Sequence, residues 1–163
     1  MLSCPPMQSP EPGISLRVSV ARQLLEVLGP GGELLCAYPV STSRFGLGTL
    51  PGSLQTPLGA FRVGEKFGEG EPLGAVFKSR LPTGEIGLGA TDDDLVLTRI
   101  FWLEGLEEHN ANTRERYIYI HGTNHEHALG QPASHGCVRM RNADVAELYE
   151  LVPAGTTVSI EET

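Results

Sequence analysis

The sequence predicts a mostly β protein with one α-helix. Frequent glycine and proline, short runs in which apolar and polar residues alternate, and a single stretch with helical spacing all support this fold class. The chain has 163 residues, among them 20 Gly and 12 Pro, which favours many turns over a helical bundle. A chain of this length is expected to form one domain, here residues 13–163, after a disordered leader at 1–12 that is rich in Pro and Ser.

The amino-terminal part of the domain predicts three strands in a meander. Apolar and polar residues alternate in 14–20, the pattern of a strand with one buried face. Two further runs of β-type residues, 23–28 and 34–40, flank the turn Gly29-Pro30-Gly31-Gly32.

The middle of the chain is less regular. Residues 41–59 are rich in Ser, Thr, Gly and Pro and predict a long loop, which is followed by a return strand at 60–63. Residues 64–94 contain too many glycines for any period, so we expect irregular structure with a short strand near 75–78. A run of large apolar residues at 95–103 predicts a buried strand.

The carboxyl-terminal part predicts two strands and the helix. A strand at 117–120 ends at His121, and another is expected at 157–160. Between them, residues 142–152 have the apolar spacing of a helix, with Asn142 as the N-cap residue and a proline directly after the helix.

Composition excludes several classes of protein. The formal net charge of −8 argues against a nucleic-acid partner, because phosphate binding needs a basic face. No apolar run approaches the roughly 20 residues of a transmembrane helix, so no membrane span is predicted. Residues 1–12 lack the basic and apolar regions of a signal peptide. The oligomeric state stays open.

Three cysteines are present, an odd number without the spacing of a disulfide framework or a metal knuckle. A lone cysteine is more often a small buried hydrophobe than a catalyst, and we expect this of Cys4 and Cys36. Cys137 differs because Ser134 and His135 stand next to it in the sequence.

The stretch Ser134-His135-Gly136-Cys137 indicates a cysteine nucleophile, with His121 upstream as its base. A reactive cysteine must be a thiolate, and a neighbouring imidazole lowers the thiol pKa from about 8.5 to roughly 3.5–7.5. Gly136 would allow a tight turn, so that backbone N–H groups of Gly136 and Cys137 point at a developing oxyanion.

Together with their neighbours, these residues resemble a known family. His121-Gly122-Thr123, a variable loop, and Ser134-His135-Gly136-Cys137-Val138-Arg139-Met140 with Asp144 following are similar to the signature of L,D-transpeptidases with a YkuD-type catalytic domain. The stretches 38–43 and 56–61 are similar to early strands and a loop of that family. The resemblance spans about residues 14–160 and is loose over 64–116.

The resemblance implies a YkuD-like β-sandwich of mixed strands and an acyltransferase without a cofactor or metal, acting on peptidoglycan stem peptides. Cys137 would attack the third residue of a donor tetrapeptide and expel D-Ala, and an amine of a second stem would take up the acyl group to form a 3→3 cross-link. His121 would act as general base and then acid, oriented by the backbone carbonyl of Gly122. It also implies pocket or substrate-binding positions for Ser134, His135 and Arg139, with bracing of the loop an equal alternative for Arg139.

A zinc site is an alternative, because His121, His125, His127, His135 and Cys137 fall within the 17 positions from 121 to 137. His125 and His127 lie in a predicted loop with nothing to hold their geometry, so we assign no metal ligands and leave their role open. Three consecutive aspartates, Asp92-Asp93-Asp94, lack the pattern of a calcium loop and predict a solvated turn.

The acyl acceptor and the location of the protein are also open. Water as acceptor would make an L,D-carboxypeptidase, and a lipoprotein lysine would make an anchoring enzyme. A non-catalytic peptidoglycan-binding module would not need a cysteine beside a histidine. The resemblance implies the cell envelope or periplasm, but a cytoplasmic location is possible because no signal peptide is visible.

Overall fold

The computed structural model describes Cys4 and residues 13–163. Apart from Cys4, the predicted leader at 1–12 lies outside the described residues. The strands are β1 Ser15–Ser19, β2 Leu24–Leu28, β3 Leu34–Ser41, β4 Gly59–Phe67, β5 Ala75–Lys78, β6 Leu81–Ile86, β7 Val96–Gly105, β8 Tyr119–Gly122, β9 Val138–Met140 and β10 Thr157–Glu161. The α-helix is α1, Asn142–Leu151, and short 3-10 helices occur at Glu108–Asn110 and Glu126–Ala128.

The strands form one sheet whose hydrogen bonding closes into a ring. Its order is β4-β10-β1-β2-β3-β9-β8-β7, and β7 pairs again with β4. The hairpin β5–β6 adds to the amino-terminal end of β7, where Val76 pairs with Leu97. The β1–β10 and β8–β9 pairs are parallel and the other pairs are antiparallel. The prediction of a mostly β fold of mixed strands with one helix is confirmed.

Two apolar clusters lie on opposite faces of the central strands. The larger draws on every strand of the ring and on α1, and includes Ile120 and Val138. The smaller contains Tyr119 and has Cys137 packed against it. Because successive side chains of a strand point to opposite faces, β8 and β9 fill the larger cluster on one face and present reactive groups on the other.

The segment 64–94 is more regular than predicted. Strand β4 continues to Phe67 through an irregularity between Val63 and Lys66, where it pairs with β7. Strand β6 is exposed along its whole length, so no apolar alternation marks it in the sequence. The short strand near 75–78 is found as β5.

The boundaries of α1 and β8 differ slightly from the prediction. The N-cap residue of α1 is Arg141, and Asn142 is the first helical residue, so the predicted N-cap is wrong. Asn142 instead donates from Nδ2 to the Thr123 carbonyl at 2.8 Å, a tertiary contact that local helix signals do not predict. Strand β8 begins at Tyr119 because Tyr117 has a left-handed φ of 57°.

Cys4 and Cys36 form a disulfide that the sequence analysis did not predict. The expectation that Cys36 is a buried side chain is confirmed, since it is 1% exposed. Their α-carbons are 4.8 Å apart and they are 32 residues apart in the sequence. Spacing alone cannot reveal such a pair, because the tertiary fold brings the two residues together. Cys137 remains a free thiol.

No helix among the described residues has the length and apolar character needed to cross a membrane.

Candidate active site

The parallel pairing of β8 with β9 brings His121 and Cys137 onto the same face of adjacent strands. His121 pairs with Arg139, and Ile120 pairs with Val138. Cys137 directly precedes β9, and its Sγ accepts a hydrogen bond from the Tyr119 backbone N–H at 3.3 Å. The thiol and the imidazole are therefore diagonal neighbours on one face of the sheet.

His121 is held in a defined orientation. It is 2% exposed, and its Nδ1 lies 2.6 Å from the Gly122 carbonyl oxygen, the contact implied by the family resemblance. A carbonyl oxygen only accepts, so Nδ1 carries the proton and Nε2 of the neutral ring is left to accept one. Burial lowers the pKa of His121, and this outweighs the raising effects of the Gly122 hydrogen bond and the Asp94 charge.

Cys137 is a neutral thiol in this arrangement. Burial raises its pKa to about 11, although the hydrogen bond from Tyr119 and the charge of Arg116 act in the opposite direction. Its Sγ also donates to the Tyr117 carbonyl at 3.4 Å. This rise in the Cys137 pKa is opposite to the lowering of the thiol pKa that a neighbouring imidazole is expected to cause. A thiol in this state would have to lose its proton before or during any nucleophilic attack.

The loop before Cys137 is tightly hydrogen-bonded. Gly136 has φ +127°, a conformation that favours glycine. Its carbonyl accepts from Thr56 Oγ1 at 2.9 Å, and its N–H donates to Ser134 Oγ at 3.2 Å. Ser134 Oγ donates to the Cys137 carbonyl at 2.6 Å. The N–H of Gly136 is thus already engaged, which leaves the Cys137 N–H as the candidate oxyanion donor in this loop.

The sequence predicted only a solvated turn at Asp94 and missed its contacts with His135 and Arg139. Its carboxylate lies 2.9 Å from His135 Nδ1 and 2.8 Å from Arg139 Nη2. Burial would raise the pKa of Asp94, but the hydrogen bond with His135 and the electrostatic influence of His121 and Arg139 lower it overall. The Arg139 side chain is 3% exposed and pairs with this carboxylate, which is consistent with the bracing alternative. No local sequence signal links Asp94 to His135, 41 residues away.

An aromatic and cationic wall stands beside the thiol. The guanidinium groups of Arg80 and Arg114 lie 4.3 Å and 3.9 Å from the Trp102 ring centroid. Tyr117 stacks on Trp102 at 5.9 Å and is 55% exposed. Arg80 also donates to Tyr119 Oη at 3.0 Å. The site therefore has local positive charge in spite of the acidic chain.

The other histidines do not join the pair. His125 Nε2 lies against the Thr91 carbonyl oxygen, and the rings of His125 and His127 are 5.8 Å apart. Within the described part of the chain, no three His, Cys, Asp or Glu side chains are placed to share a metal ion. The ligand set that the zinc alternative requires is not found among these residues.

Comparisons with known proteins agree with the motif. Residues 14–160 match the model of the YkuD family, described as the L,D-transpeptidase catalytic domain. The Bacillus subtilis protein YkuD, which is named as an L,D-transpeptidase, is 28% identical over 145 residues, covering 89% of this chain and 64% of that protein. The chain thus spans a little under two thirds of that relative.

Solved structures of L,D-transpeptidases share the fold. The Xylanimonas cellulosilytica enzyme superposes with a TM-score of 0.61 at 21% identity, covering 96% of this chain and 63% of that chain. The L,D-transpeptidase LdtMt1, in complex with imipenem, gives 0.57 at 20% identity, covering 91% of this chain and 59% of that chain.

Proposed function

This chain belongs to the family of L,D-transpeptidase catalytic domains, and we propose that it forms 3→3 peptidoglycan cross-links through a thioester on Cys137. The observation that carries the proposal is a thiol directly before β9 that lies diagonally from an oriented, neutral imidazole on β8. His121 lies within β8 and Cys137 directly precedes β9, so the sheet keeps the proposed nucleophile and base in position.

The first half-reaction is acylation. As Cys137 Sγ attacks the carbonyl carbon of the third donor residue, the thiol proton passes to His121 Nε2 and the carbonyl oxygen becomes an oxyanion. His121 then donates that proton to the nitrogen of D-Ala, the carbon–nitrogen bond breaks, and a thioester remains on Cys137. The Gly122 carbonyl stabilises the imidazolium by accepting from Nδ1.

The second half-reaction transfers the acyl group. The side-chain amine of a second stem attacks the thioester, His121 accepts the proton of the amine, and the thiol is released as a proton returns to sulfur. Because burial disfavours the Cys137 thiolate, the sulfur keeps its proton before the reaction. His121 therefore has to remove that proton as the sulfur attacks the donor carbonyl.

The wall of Arg80, Arg114 and Tyr117 fits an anionic peptide. Stem peptides carry carboxylates, and guanidinium groups over aromatic rings attract such groups without being buried themselves. We propose that the donor or acceptor peptide lies along this wall.

The disulfide supports a location outside the reducing cytoplasm. Disulfides persist in oxidising compartments and are rare in the cytosol. The Cys4–Cys36 bond therefore favours the cell envelope, where peptidoglycan lies, over the cytoplasmic alternative.

The acylation proposal is tested with a disaccharide-tetrapeptide and intact-protein mass spectrometry. The adduct mass is expected on the wild type and lost in Cys137→Ala, whereas Cys36→Ala with Cys4→Ala is a control that keeps the nucleophile. An adduct that persists in Cys137→Ala would overturn the proposal.

The products identify the acceptor. Cross-linked dimer is the expected product, formed by an amine acceptor. If tripeptide accumulates and dimer does not, water is the acceptor and the enzyme is an L,D-carboxypeptidase. Transfer only to a lipoprotein lysine would make it an anchoring enzyme.

A further inference from the structure

Thr98 has a backbone conformation that is rare for its residue type. It lies within β7 with a φ of 72°, in the left-handed region that a β-branched residue seldom adopts, and it is 0% exposed. Leu97 before it pairs with Gly122. Ile100 after it pairs with His121, so residues 98 and 99 face no partner on β8. Because glycine would adopt this conformation without strain, the presence of a threonine side chain needs a reason.

The hydroxyl of Thr98 joins three segments of the chain. Its Oγ1 accepts from the Gly74 N–H, just before β5, at 3.0 Å. It donates to Oδ1 of Asn142, the first residue of α1, at 2.6 Å. Nδ2 of Asn142 in turn donates to the Thr123 carbonyl, directly after β8, at 2.8 Å. These bonds are buried, and their direction is fixed because an N–H only donates and a carbonyl oxygen only accepts.

This series of hydrogen bonds ends beside Gly122. A glycine has wide conformational freedom, so its carbonyl needs external contacts to keep one direction. The N–H of Thr123 donates to the Met140 carbonyl at 3.2 Å, and the Thr123 carbonyl accepts from Asn142. Oδ1 of Asn142 also occupies the space that a β-carbon on residue 122 would need. The Gly122 carbonyl is thereby held where it accepts from His121 Nδ1.

We propose that Thr98 is a positioning residue for His121. Its hydroxyl holds Asn142, Asn142 holds the peptide that follows Gly122, and the Gly122 carbonyl keeps the imidazole proton on Nδ1. The strained backbone of Thr98 is retained because it turns the hydroxyl towards α1. The inference rests on the proposed function, in which Nε2 of His121 takes the proton of Cys137.

Three variants separate the hydroxyl of Thr98 from its backbone. Thr98→Ser keeps the hydroxyl, whereas Thr98→Val keeps the branched shape and lacks the hydroxyl. Thr98→Gly also lacks the hydroxyl but adopts a positive φ without strain, so we expect it to fold even if the valine variant does not. Thr156→Val is the matched control, because Thr156 is also buried and its Oγ1 donates to the Pro153 carbonyl at 2.8 Å, in the turn between α1 and β10.

The first measurement needs no turnover. Nuclear magnetic resonance of the ring nitrogens reports which nitrogen of the neutral His121 ring carries the proton. The wild type, Thr98→Ser and Thr156→Val should show one form, protonated on Nδ1, whereas Thr98→Val and Thr98→Gly should show both forms in exchange. A single Nδ1-protonated form in Thr98→Val and Thr98→Gly would overturn the proposal, as would a mixture in Thr98→Ser equal to that in Thr98→Val.

The second measurement is steady-state turnover of a tetrapeptide donor. Loss of the Thr98 hydroxyl should lower kcat by about tenfold and leave KM unchanged, because the residue orients the base and does not bind the donor. Thr98→Ser should keep the wild-type kcat. Thr156→Val should lower the urea midpoint and keep kcat, which separates a loss of stability from a loss of positioning. An equal fall of kcat in Thr156→Val and Thr98→Val would refute the positioning role.

The two proposals fail in different ways. If the wild type does not turn over the donor, the proposed function fails, and the ring-nitrogen measurement still decides whether Thr98 orients His121. If the wild type turns over the donor and both Thr98→Val and Thr98→Gly keep its kcat, the positioning role fails and the proposed function stands.

Discussion

Replacing Gly122 by alanine is expected to destabilise the protein and displace the proposed base. A β-carbon at Gly122 would lie 2.7 Å from the Leu97 carbonyl oxygen and closer still to Asn142 Oδ1. Leu97 cannot retreat easily, because it pairs with Gly122 across β7 and β8. Asn142 is buried and hydrogen-bonded to Thr98 and Thr123, so its side chain is also held.

The magnitude follows from these contacts. Overpacking of this kind costs about 1–3 kcal/mol, and loss of one hydrogen bond of Asn142 adds about 1 kcal/mol. We expect the free energy of unfolding to fall by about 2–4 kcal/mol. The Gly122 carbonyl orients His121, and a shift of about 1 Å in a catalytic group lowers the rate about 100-fold.

Urea unfolding measures the first effect, and the rate of Cys137 acylation by a tetrapeptide donor measures the second. Gly89→Ala is the matched control, since a β-carbon there meets nothing within 4 Å, and its stability should change by less than about 0.5 kcal/mol. Equal urea midpoints for the two variants would refute the steric reasoning. A destabilised Gly122→Ala that acylates at the wild-type rate would refute the orienting role of the carbonyl.

Four further predictions concern titration and stability. Alkylation of Cys137 by iodoacetamide should keep rising with pH towards the thiol pKa of about 11, and a plateau near neutral pH would contradict a neutral resting thiol. Burial lowers the pKa of His121 from 6.5, and a general base must be neutral to accept a proton. We therefore expect kcat/KM to fall only when the pH drops through a value below 6.5. An inflection at a pH above 6.5 would count against His121 as the base. Asp94→Ala leaves the buried Arg139 guanidinium without its carboxylate partner. The free energy of unfolding measured in urea should fall by about 1–2 kcal/mol, a value reduced because the carboxylate is partly exposed. Asp93→Ala is the control and should leave the stability unchanged. Cys4→Ser removes the disulfide between residues 32 positions apart and should lower the free energy of unfolding by about 3–4 kcal/mol. A urea midpoint equal to that of the wild type would show that the disulfide does not stabilise the protein.

Local patterns predicted much of the fold. Strands β1, β2, β3, β5, β7 and β10 and helix α1 follow from alternation, apolar runs and helical spacing, which depend on near neighbours. Strand β6 escaped prediction because it is exposed throughout and buries no face. The N-cap of α1 was misplaced because Asn142 is used in tertiary hydrogen bonds to Thr98 and Thr123.

The candidate site also contains residues that the sequence could identify and one that it could not. His121, Gly136 and Cys137 stand in two short motif segments joined by a variable loop, so sequence alone could name them. Asp94 could not be named, because it reaches His135 only through the folding of a distant loop onto β9.

The sequence by itself determined the fold class, the family and the identity of the thiol and imidazole, since these depend on residue types and short spacings. Only the tertiary structure decided that Cys4 pairs with Cys36, that Asp94 contacts His135 and Arg139, and that burial raises the pKa of the Cys137 thiol. The physical reason is that disulfide pairing needs two distant chain segments to meet, and a pKa depends on how much water and which charges surround the group. Neither quantity is encoded within a window of neighbouring residues.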